Sequence, residues 1–166
     1  DIFVQNSRFF LPSTPKFKES AIFLFSKEDQ FRPEILAFHE IVRKFKSKKK
    51  TIALTGESIQ RPFYLSKEYE DLKAQIKKED SIQFCQVNPF LGIIPLEISD
   101  VFPAAHYVMS NTNFNPEDFP ICLQTWNVFF KKNNFSLVYF DKNDEFINYF
   151  VKKLPKNIKK KKLELK

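Results

Sequence analysis

The chain has 166 residues, 43% of them hydrophobic, and this length favours one domain with a sizeable core over two full domains. It contains no apolar run of the roughly 20 residues that span a bilayer, and its first ten residues lack the basic flank and apolar stretch of a signal peptide. A cytoplasmic protein without membrane contact is therefore expected.

The formal net charge of +7 comes from the end of the chain, because residues 152–166 hold eight lysines and one glutamate while residues 1–151 hold 19 basic and 19 acidic side chains. A second basic cluster runs from Arg43 to Lys50. Such runs attract polyanions without sequence specificity. A disordered solubilising tail, or the lysine bias of an AT-rich genome, is the alternative explanation. Nucleic-acid contacts are expected at Lys48, Lys49, Lys50, Lys159, Lys160, Lys161 and Lys162.

The first half of the chain alternates between strand and helix patterns. Residues 1–20, with prolines at 12 and 15, predict an irregular arm, and the apolar run 21–25 predicts a buried strand. A helix with an apolar residue every three or four positions begins at Pro33. His39 in this helix is predicted to be a surface or boundary residue and not a ligand. Residues 51–54 predict the next strand.

The second half continues the alternation. A helix is predicted to begin near Ser66, and a strand follows at 81–87. Residues 115–118 predict the start of another helix, with its apolar stripe on Phe119, Leu123, Trp126 and Phe130. A strand is predicted at 135–140, and Asp144 is expected to cap a last helix. The order predicts an α/β fold, a three-layer sandwich with a mostly parallel four-stranded sheet, over residues 21–154. Residues 155–166 then form a lysine-rich tail. Because ligands gather at the carboxyl ends of such strands, the loops after residues 54 and 87 are the expected site.

The first of these loops has the sequence TGESIQRPFYLS, residues 55–66. With one glycine and no Gly-Lys-Ser/Thr ending, it does not match a phosphate-binding loop. Arg61 can pair with a phosphate or a carboxylate, and an aromatic residue beside it can stack on a base. The structural alternatives are an ion pair between Glu57 and Arg61, a place in the core for Phe63, and a helix cap at Ser66.

The second loop region, residues 88–109, contains a carboxylate, a histidine and a tyrosine that can form an acid-base set. A structural role for His106 is the alternative. Cys85 and Cys122 have no CxxC spacing, so they are predicted to be buried thiols. Neither a metal site nor a cofactor is expected.

These two loops resemble the central domain of archaeosine synthase, an archaeal family related to tRNA-guanine transglycosylases, over residues 31–154. The family's first motif is Pro-Cys, three residues, Lys-Pro-Tyr, two residues, Ser, two residues, His. Pro62 and Ser66 match it. The first proline, the cysteine, the lysine, the tyrosine and the histidine are replaced here by Gly56, Glu57, Arg61, Phe63 and Tyr69.

The family's second motif is matched more completely. The matching residues are Leu91, Gly92, Pro95, Glu97, Pro103, Ala104, Ala105, His106 and Tyr107. Leu96, Phe102 and Val108 replace the family's arginine, tyrosine and aspartate.

The resemblance implies a fold similar to uracil-DNA glycosylases and a role on tRNA. The family's synthase joins lysine to the nitrile of 7-cyano-7-deazaguanine in tRNA, and a radical enzyme partner completes archaeosine. The residues that correspond to a catalytic site are then Glu57, Arg61, Ser66 and His106, and those that correspond to substrate contacts are Gly56, Phe63, Tyr69, Gly92, Glu97 and Tyr107.

Glu57 leaves the activity open, since a carboxylate does not replace a thiolate as a soft nucleophile. One interpretation is a tRNA-modification domain that acts through tRNA or through protein subunits of a modifying complex. Another is a non-catalytic module that binds RNA or a ribonucleoprotein through a degenerate site. A third, a base-recognising enzyme of the glycosylase kind, rests on fold analogy alone.

Overall fold

The structure is a computed structural model that describes residues 22–24, 26–58, 60, 62–76, 81–109 and 114–165. The predicted arm at 1–20 and Arg61 lie outside these residues. The strands are β1 (Ile22–Leu24), β2 (Thr51–Thr55), β3 (Ile82–Asn88), β4 (Gly92–Pro95), β5 (Tyr107–Met109), β6 (Leu137–Asp141) and β7 (Lys159–Leu163). The α-helices are α1 (Pro33–Lys44), α2 (Lys67–Gln75), α3 (Pro120–Lys132) and α4 (Glu145–Lys152).

The main sheet has five strands in the order β4-β3-β2-β6-β7, and only β4 is antiparallel to its neighbour. The predicted α/β class with a mostly parallel sheet is confirmed, but the predicted number of four strands is wrong. The described part of the run at 21–25 is β1, which does not enter this sheet and pairs with β5 in a separate two-stranded sheet. Strands β4 and β7 take the two edges instead. Pro95 ends β4, and an edge strand is where a sheet tolerates a proline.

Successive residues of the central strands β2 and β6 face two different cores. Ile52, Leu54 and Val138 belong to the larger cluster, which includes buried residues of α1, α3 and α4. Ala53 and Tyr139 belong to the smaller one with Leu72 of α2. Because strand side chains alternate between faces, helices therefore cover both sides of the sheet and make three layers.

Aromatic rings fill the larger core, as the 21 phenylalanines predict. Trp126 is 1% exposed, and its ring centroid lies 4.6 Å from that of Phe130 and 5.3 Å from that of Phe150. Such pairs contribute about 0.5–1.5 kcal/mol each beyond the area they bury.

The lysine-rich end of the chain is a strand of this sheet. β7 pairs in parallel with β6 and places Lys161 opposite Tyr139, whose ring centroid lies 5.2 Å from the ammonium nitrogen. On the other face, Lys160 Nζ donates a hydrogen bond to the backbone oxygen of Leu154 at 3.4 Å. The segment predicted as a separate tail therefore contains the edge strand of the main sheet. Lysines are common on such edges, since they discourage pairing with another chain.

None of the helices among the described residues is long and apolar enough to cross a membrane.

Candidate functional site

A cleft lies where the direction of the sheet reverses. From β2 the chain adds β3 on one side, and it later adds β6 on the other side. Ligands of open α/β sheets bind at the carboxyl ends of strands at such a reversal. The cleft has a volume of about 1010 Å³, and its lining includes Glu57 after β2, Pro89 after β3 and Asp144 after β6. The loops after residues 54 and 87, expected as the site, both contribute to it.

Glu57 is held in this cleft by Asn88, the last residue of β3. Asn88 Nδ2 donates to Glu57 Oε2 at 2.6 Å. Asn88 Oδ1 accepts from the backbone amides of Phe90 at 2.8 Å and Leu91 at 2.9 Å. Since a carbonyl oxygen accepts and an amide nitrogen donates, these bonds fix which way the Asn88 side chain points. Asn88 was missed as a functional residue, although its position at the end of a predicted strand was a signal.

Asp144 forms the wall across from Glu57. It caps α4 as predicted, and its Oδ1 accepts from the backbone amide of Ile147 at 2.8 Å. Burial raises the pKa of Asp144 above its ordinary value, and the charge of Asp141 acts in the same direction, whereas the hydrogen bond from Ile147 opposes them. Gly56 lies against this carboxylate, so the loops after β2 and β6 meet there.

The cleft is acidic and aromatic. Among the described residues, its lining holds the carboxylates of Glu57, Asp144 and Glu145 and one ammonium group, that of Lys152, together with rings that include Phe146. A phosphate backbone is repelled by such a surface, while a planar neutral group or a cation fits it.

Three site residues predicted from the first motif have structural roles. Ser66 caps α2, with its Oγ accepting from the backbone amide of Tyr69 at 3.2 Å, which is the structural alternative for this serine. Phe63 is 1% exposed, so it lies in the core, which is the structural alternative for this residue. The ring of Tyr69 packs edge-on against Phe63 at 5.7 Å and Phe84 at 5.3 Å. Arg61 lies outside the described residues.

Two residues of the second motif do not line the cleft. Gly92 has a φ of 76°, a conformation that favours glycine, and a Cβ there would stand 3.0 Å from His39 Cε1. Glu97 Oε2 accepts from Gln83 Nε2 at 2.7 Å, and its other oxygen lies 3.8 Å from Lys49 Nζ. Because Gln83 lies near the start of β3, Glu97 is at the amino end of the sheet, opposite the cleft.

His106 and Tyr107 are buried. The ring centroid of His106 lies 5.2 Å from that of Phe102, and burial lowers the pKa of His106 to about 3. It is therefore uncharged at neutral pH. The Tyr107 hydroxyl donates to a carboxylate oxygen of Glu34. Burial, followed by that carboxylate, raises the pKa of Tyr107 well above its ordinary value.

His39 is also buried, so its prediction as a surface or boundary residue is wrong. Its Nε2 lies 2.6 Å from the Phe90 backbone oxygen, which can only accept, so Nε2 carries the proton. Its Nδ1 then accepts from the Thr125 hydroxyl at 2.7 Å, and that hydroxyl accepts from Arg43 Nε at 3.2 Å. Burial lowers the pKa of His39 to about 4. The histidine ties α1 to α3 and to the turn after β3.

The two lysine clusters meet at the amino end of the sheet. Ser136 joins them, since its backbone amide donates to the Lys50 oxygen at 2.8 Å and its own oxygen accepts from the Lys159 amide at 2.9 Å. We call the side chains gathered there the lysine surface, and it consists of Lys46, Lys48, Lys49, Lys50, Lys132 and Lys159. Five of the six, all but Lys159, line a groove of about 570 Å³ together with Ser47 and Asn134.

Two of these lysines also bind the protein itself. Lys49 Nζ donates to the Ile82 backbone oxygen at 2.9 Å, and Lys132 Nζ donates to that of Lys44 at 3.2 Å. Lys46, Lys48, Lys50 and Lys159 are exposed. Of the predicted nucleic-acid residues, Lys48, Lys49, Lys50 and Lys159 thus share one surface, and Lys160, Lys161 and Lys162 continue along β7.

The cysteines are buried as predicted, and burial raises the pKa of both thiols. Within the described ranges, no group of three His, Cys, Asp or Glu side chains is placed to hold a metal ion.

The fold and cleft define an α/β domain with a ligand-sized crevice at the reversal of its sheet. Residues 35–162 match the family described as a domain of unknown function, DUF5591, and the chain belongs to this family. Its fold is similar to the crystal structure of AF0587, a protein of unknown function, with a TM-score of 0.52 and 12% identity over 75% of this chain. The chain spans 42% of that protein. No curated protein sequence matches it.

Proposed function

We propose that this chain is an RNA-binding domain of the archaeosine synthase type, which acts in tRNA modification by holding tRNA or a subunit of the modifying complex. The observation that carries the proposal is the lysine surface. Lys50 and Lys159 come from distant parts of the chain, and the backbone of Ser136 lies between them and hydrogen-bonds to both, so they belong to one end of the sheet. A cluster assembled by the fold concentrates positive potential in a way that a solubilising tail does not require.

The charge distribution supports an RNA partner. Residues 1–151 are neutral overall, so the potential of the lysine surface is not part of a general positive charge. Association of such a surface with phosphates releases counterions, which makes the binding strong at low salt and independent of sequence.

Several residues that match the archaeosine synthase pattern have structural roles in this fold. Ser66 caps a helix, Gly92 has a positive φ, and His106 is buried. These residues support a shared scaffold, and we include in the proposal the arrangement of uracil-DNA glycosylases that the resemblance implies.

The second candidate is a non-catalytic module that binds RNA or a ribonucleoprotein. It is favoured by the separation between the cleft and the lysine surface, which lie at opposite ends of the sheet. β3 has seven residues, and a strand of that length spans about 23 Å. The first candidate has a catalytic version, in which the amine of lysine adds to the nitrile of 7-cyano-7-deazaguanine in the cleft. The tRNA then has to reach from one end of the sheet to the other.

The first experiment measures tRNA binding by the intact chain. Deletion of residues 156–166 is unsuitable because it removes β7. The variant Lys48→Gln/Lys50→Gln/Lys159→Gln removes three charges from exposed side chains, and Lys67→Gln/Lys73→Gln/Lys153→Gln removes the same charge elsewhere. We expect only the first variant to weaken binding and to flatten the slope of log K against log salt, by about 0.7–0.9 for each phosphate that is no longer neutralised. Equal effects of the two variants would overturn the proposal.

The second experiment separates the two candidates. The protein is mixed with tRNA that carries 7-cyano-7-deazaguanine and with free lysine, alone and with partner subunits, and the nucleosides are analysed by mass. A lysine adduct that disappears in Glu57→Gln supports the catalytic version. Binding without any adduct supports the non-catalytic module.

A further inference from the structure

The segment between α1 and β2 presents its lysines in a regular row. Along residues 45–50 the burial alternates, so that Lys46, Lys48 and Lys50 are exposed and the residues between them are partly buried. In an extended chain, residues two apart point the same way and lie about 6.6 Å from each other. The alternation therefore places the side chains of Lys46, Lys48 and Lys50 on the solvent side of the segment.

The inward residues hold this segment in place. The ring of Phe45 stacks on that of Phe129 at 6.2 Å between centroids. The Ser47 amide donates to Asn133 Oδ1 at 2.6 Å, and the Ser47 hydroxyl donates to Gln83 Oε1 at 2.8 Å. The inward residues thus bind α3 and β3, and the row of lysines has a fixed backbone. Preorganisation of this kind lowers the entropy cost of binding.

The row continues onto β7. Lys50 ends it, and Lys159 begins β7 on the far side of β6, with Ser136 between the two lysines and hydrogen-bonded to the backbone of both. The exposed side chains of Asn134 and Ser136 lie between the lysines and can donate or accept hydrogen bonds. The surface therefore offers a line of cations with polar groups along it, which matches the phosphates and 2′-hydroxyls of one RNA strand.

This surface has no ring on which a base can stack, as far as the described residues show. Phe45 is stacked on Phe129, and Phe135 is only 4% exposed. The large exposed hydrophobic residues of the described chain include one aromatic ring, Phe31. It lies just before α1 begins, whereas the lysine row follows the other end of that helix. Proteins that bind single strands use aromatic stacking, while those that bind RNA helices contact phosphates and 2′-hydroxyls.

We propose that the lysine surface binds one backbone strand of a base-paired RNA stem, with Lys46, Lys48 and Lys50 on neighbouring phosphates, and that it reads no base. The proposal rests on the RNA-binding function above and names the form of RNA that the surface takes. A stem is favoured over an unpaired loop because its phosphates are held in a regular line, and because a loop offers bases for which this surface has no partner.

The test compares three RNAs by fluorescence anisotropy: two duplexes of about 16 base pairs with unrelated sequences, and a single strand with the same number of phosphates. We expect the two duplexes to bind equally and about tenfold tighter than the single strand at a salt concentration near 0.1 M. Lys46→Gln/Lys48→Gln/Lys50→Gln is expected to remove this preference, and Lys67→Gln/Lys73→Gln/Lys153→Gln to keep it.

Three other outcomes would overturn the stem-binding inference, and one of them would also overturn the RNA-binding function. A single strand that binds as tightly as the duplexes, or duplexes that differ from each other, overturns the inference and leaves the RNA-binding function intact. A preference for the duplex that survives in the Lys46/Lys48/Lys50 variant places the contact elsewhere and also overturns the inference. Failure of every RNA to bind overturns both proposals. Because the substituted side chains are exposed, thermal unfolding of both variants is expected to match that of the wild type.

Discussion

The carboxylate of Asp144 occupies the space where a side chain on Gly56 would be, since a Cβ at position 56 would stand 2.1 Å from Asp144 Oδ2. A Cβ atom essentially never lies within 3.0 Å of a non-bonded heavy atom, so a side chain at position 56 would force the Asp144 carboxylate to move. The loops after β2 and β6 approach each other through this contact. The glycine is therefore needed for the shape of the cleft floor and not for an unusual backbone angle.

Substitution of Gly56 is expected to act through the helix cap. In Gly56→Ala the Asp144 side chain has to move, and the hydrogen bond that it accepts from the Ile147 amide is broken. We expect the free energy of unfolding to fall by about 1–2 kcal/mol, the usual cost of losing a cap. Urea denaturation measures it. Asp144→Ala is the control, because it removes the cap directly.

A double-mutant cycle tests the mechanism. If Gly56→Ala acts by displacing Asp144, the double variant costs less than the sum of the two single changes. Additive costs would show that the methyl group destabilises the loop in some other way.

The buried histidines predict a loss of stability in acid. The pKa of His39 falls from 6.5 to about 4 in the folded protein, so the unfolded chain takes up a proton first. Neutral His39 therefore contributes to the free energy of unfolding. This contribution is fully present above pH 6.5 and is lost as the pH falls from 6.5 to about 4, to a total of about 3 kcal/mol. Urea denaturation at a series of pH values measures the slope. His106 adds to it, since its pKa is also lowered, to about 3.

Single variants separate the two histidines. His39→Gln is expected to make the decline between pH 6.5 and 4 shallower, by about 1.4 kcal/mol per pH unit where one proton is involved. His106→Gln is the matched variant and removes the other contribution. If neither variant changes the slope, another group causes the acid sensitivity.

Much of the fold follows from local patterns. The apolar periodicity of α1 and the cap residues Ser66 and Asp144 lie in the chain as they do in the structure, because a cap and an amphipathic stripe are set by residues close in sequence. β7 could not be recognised in this way. Four successive lysines carry no alternation of polar and apolar residues, and their strand forms only because β6 offers a free edge.

The position of the cleft was predictable from the sequence, whereas the residues that line and support it were less predictable. Glu57 follows a strand that is visible in the sequence, and the carboxyl ends of parallel strands define the place of the cleft. Asn88, which holds Glu57, carries no motif. His106 and Glu97 look like partners in a short segment, but one is buried beside Phe102 and the other binds Gln83 at the opposite end of the sheet. Glu97 reaches that end because β4 turns back along β3.

Substitutions of Ser66 distinguish a role as helix cap from a role in catalysis. As the cap of α2 it accepts from the Tyr69 amide, so Ser66→Ala is expected to lower the free energy of unfolding by about 1 kcal/mol. Ser66→Asp keeps an acceptor at this position and should restore the stability, which thermal unfolding can measure. RNA binding is expected to be unchanged in both variants. A serine that acts in chemistry would instead leave stability unaffected in Ser66→Ala and would not be replaced by aspartate.

The lysines of β7 are expected to keep this edge of the sheet from pairing with a second molecule. β7 is an edge strand, and Lys160 and Lys162 are exposed on it. Edge strands with charged side chains resist pairing with a second molecule, whereas flat apolar edges promote it. Lys160→Val/Lys162→Val is expected to keep the fold and to self-associate, which sedimentation velocity detects as a concentration-dependent increase in mass. The control Lys160→Gln/Lys162→Gln removes the same charge without an apolar surface. If the control associates equally, the reduced net charge and not the apolar edge is responsible, and a monomeric valine variant would show that these lysines have no protective role.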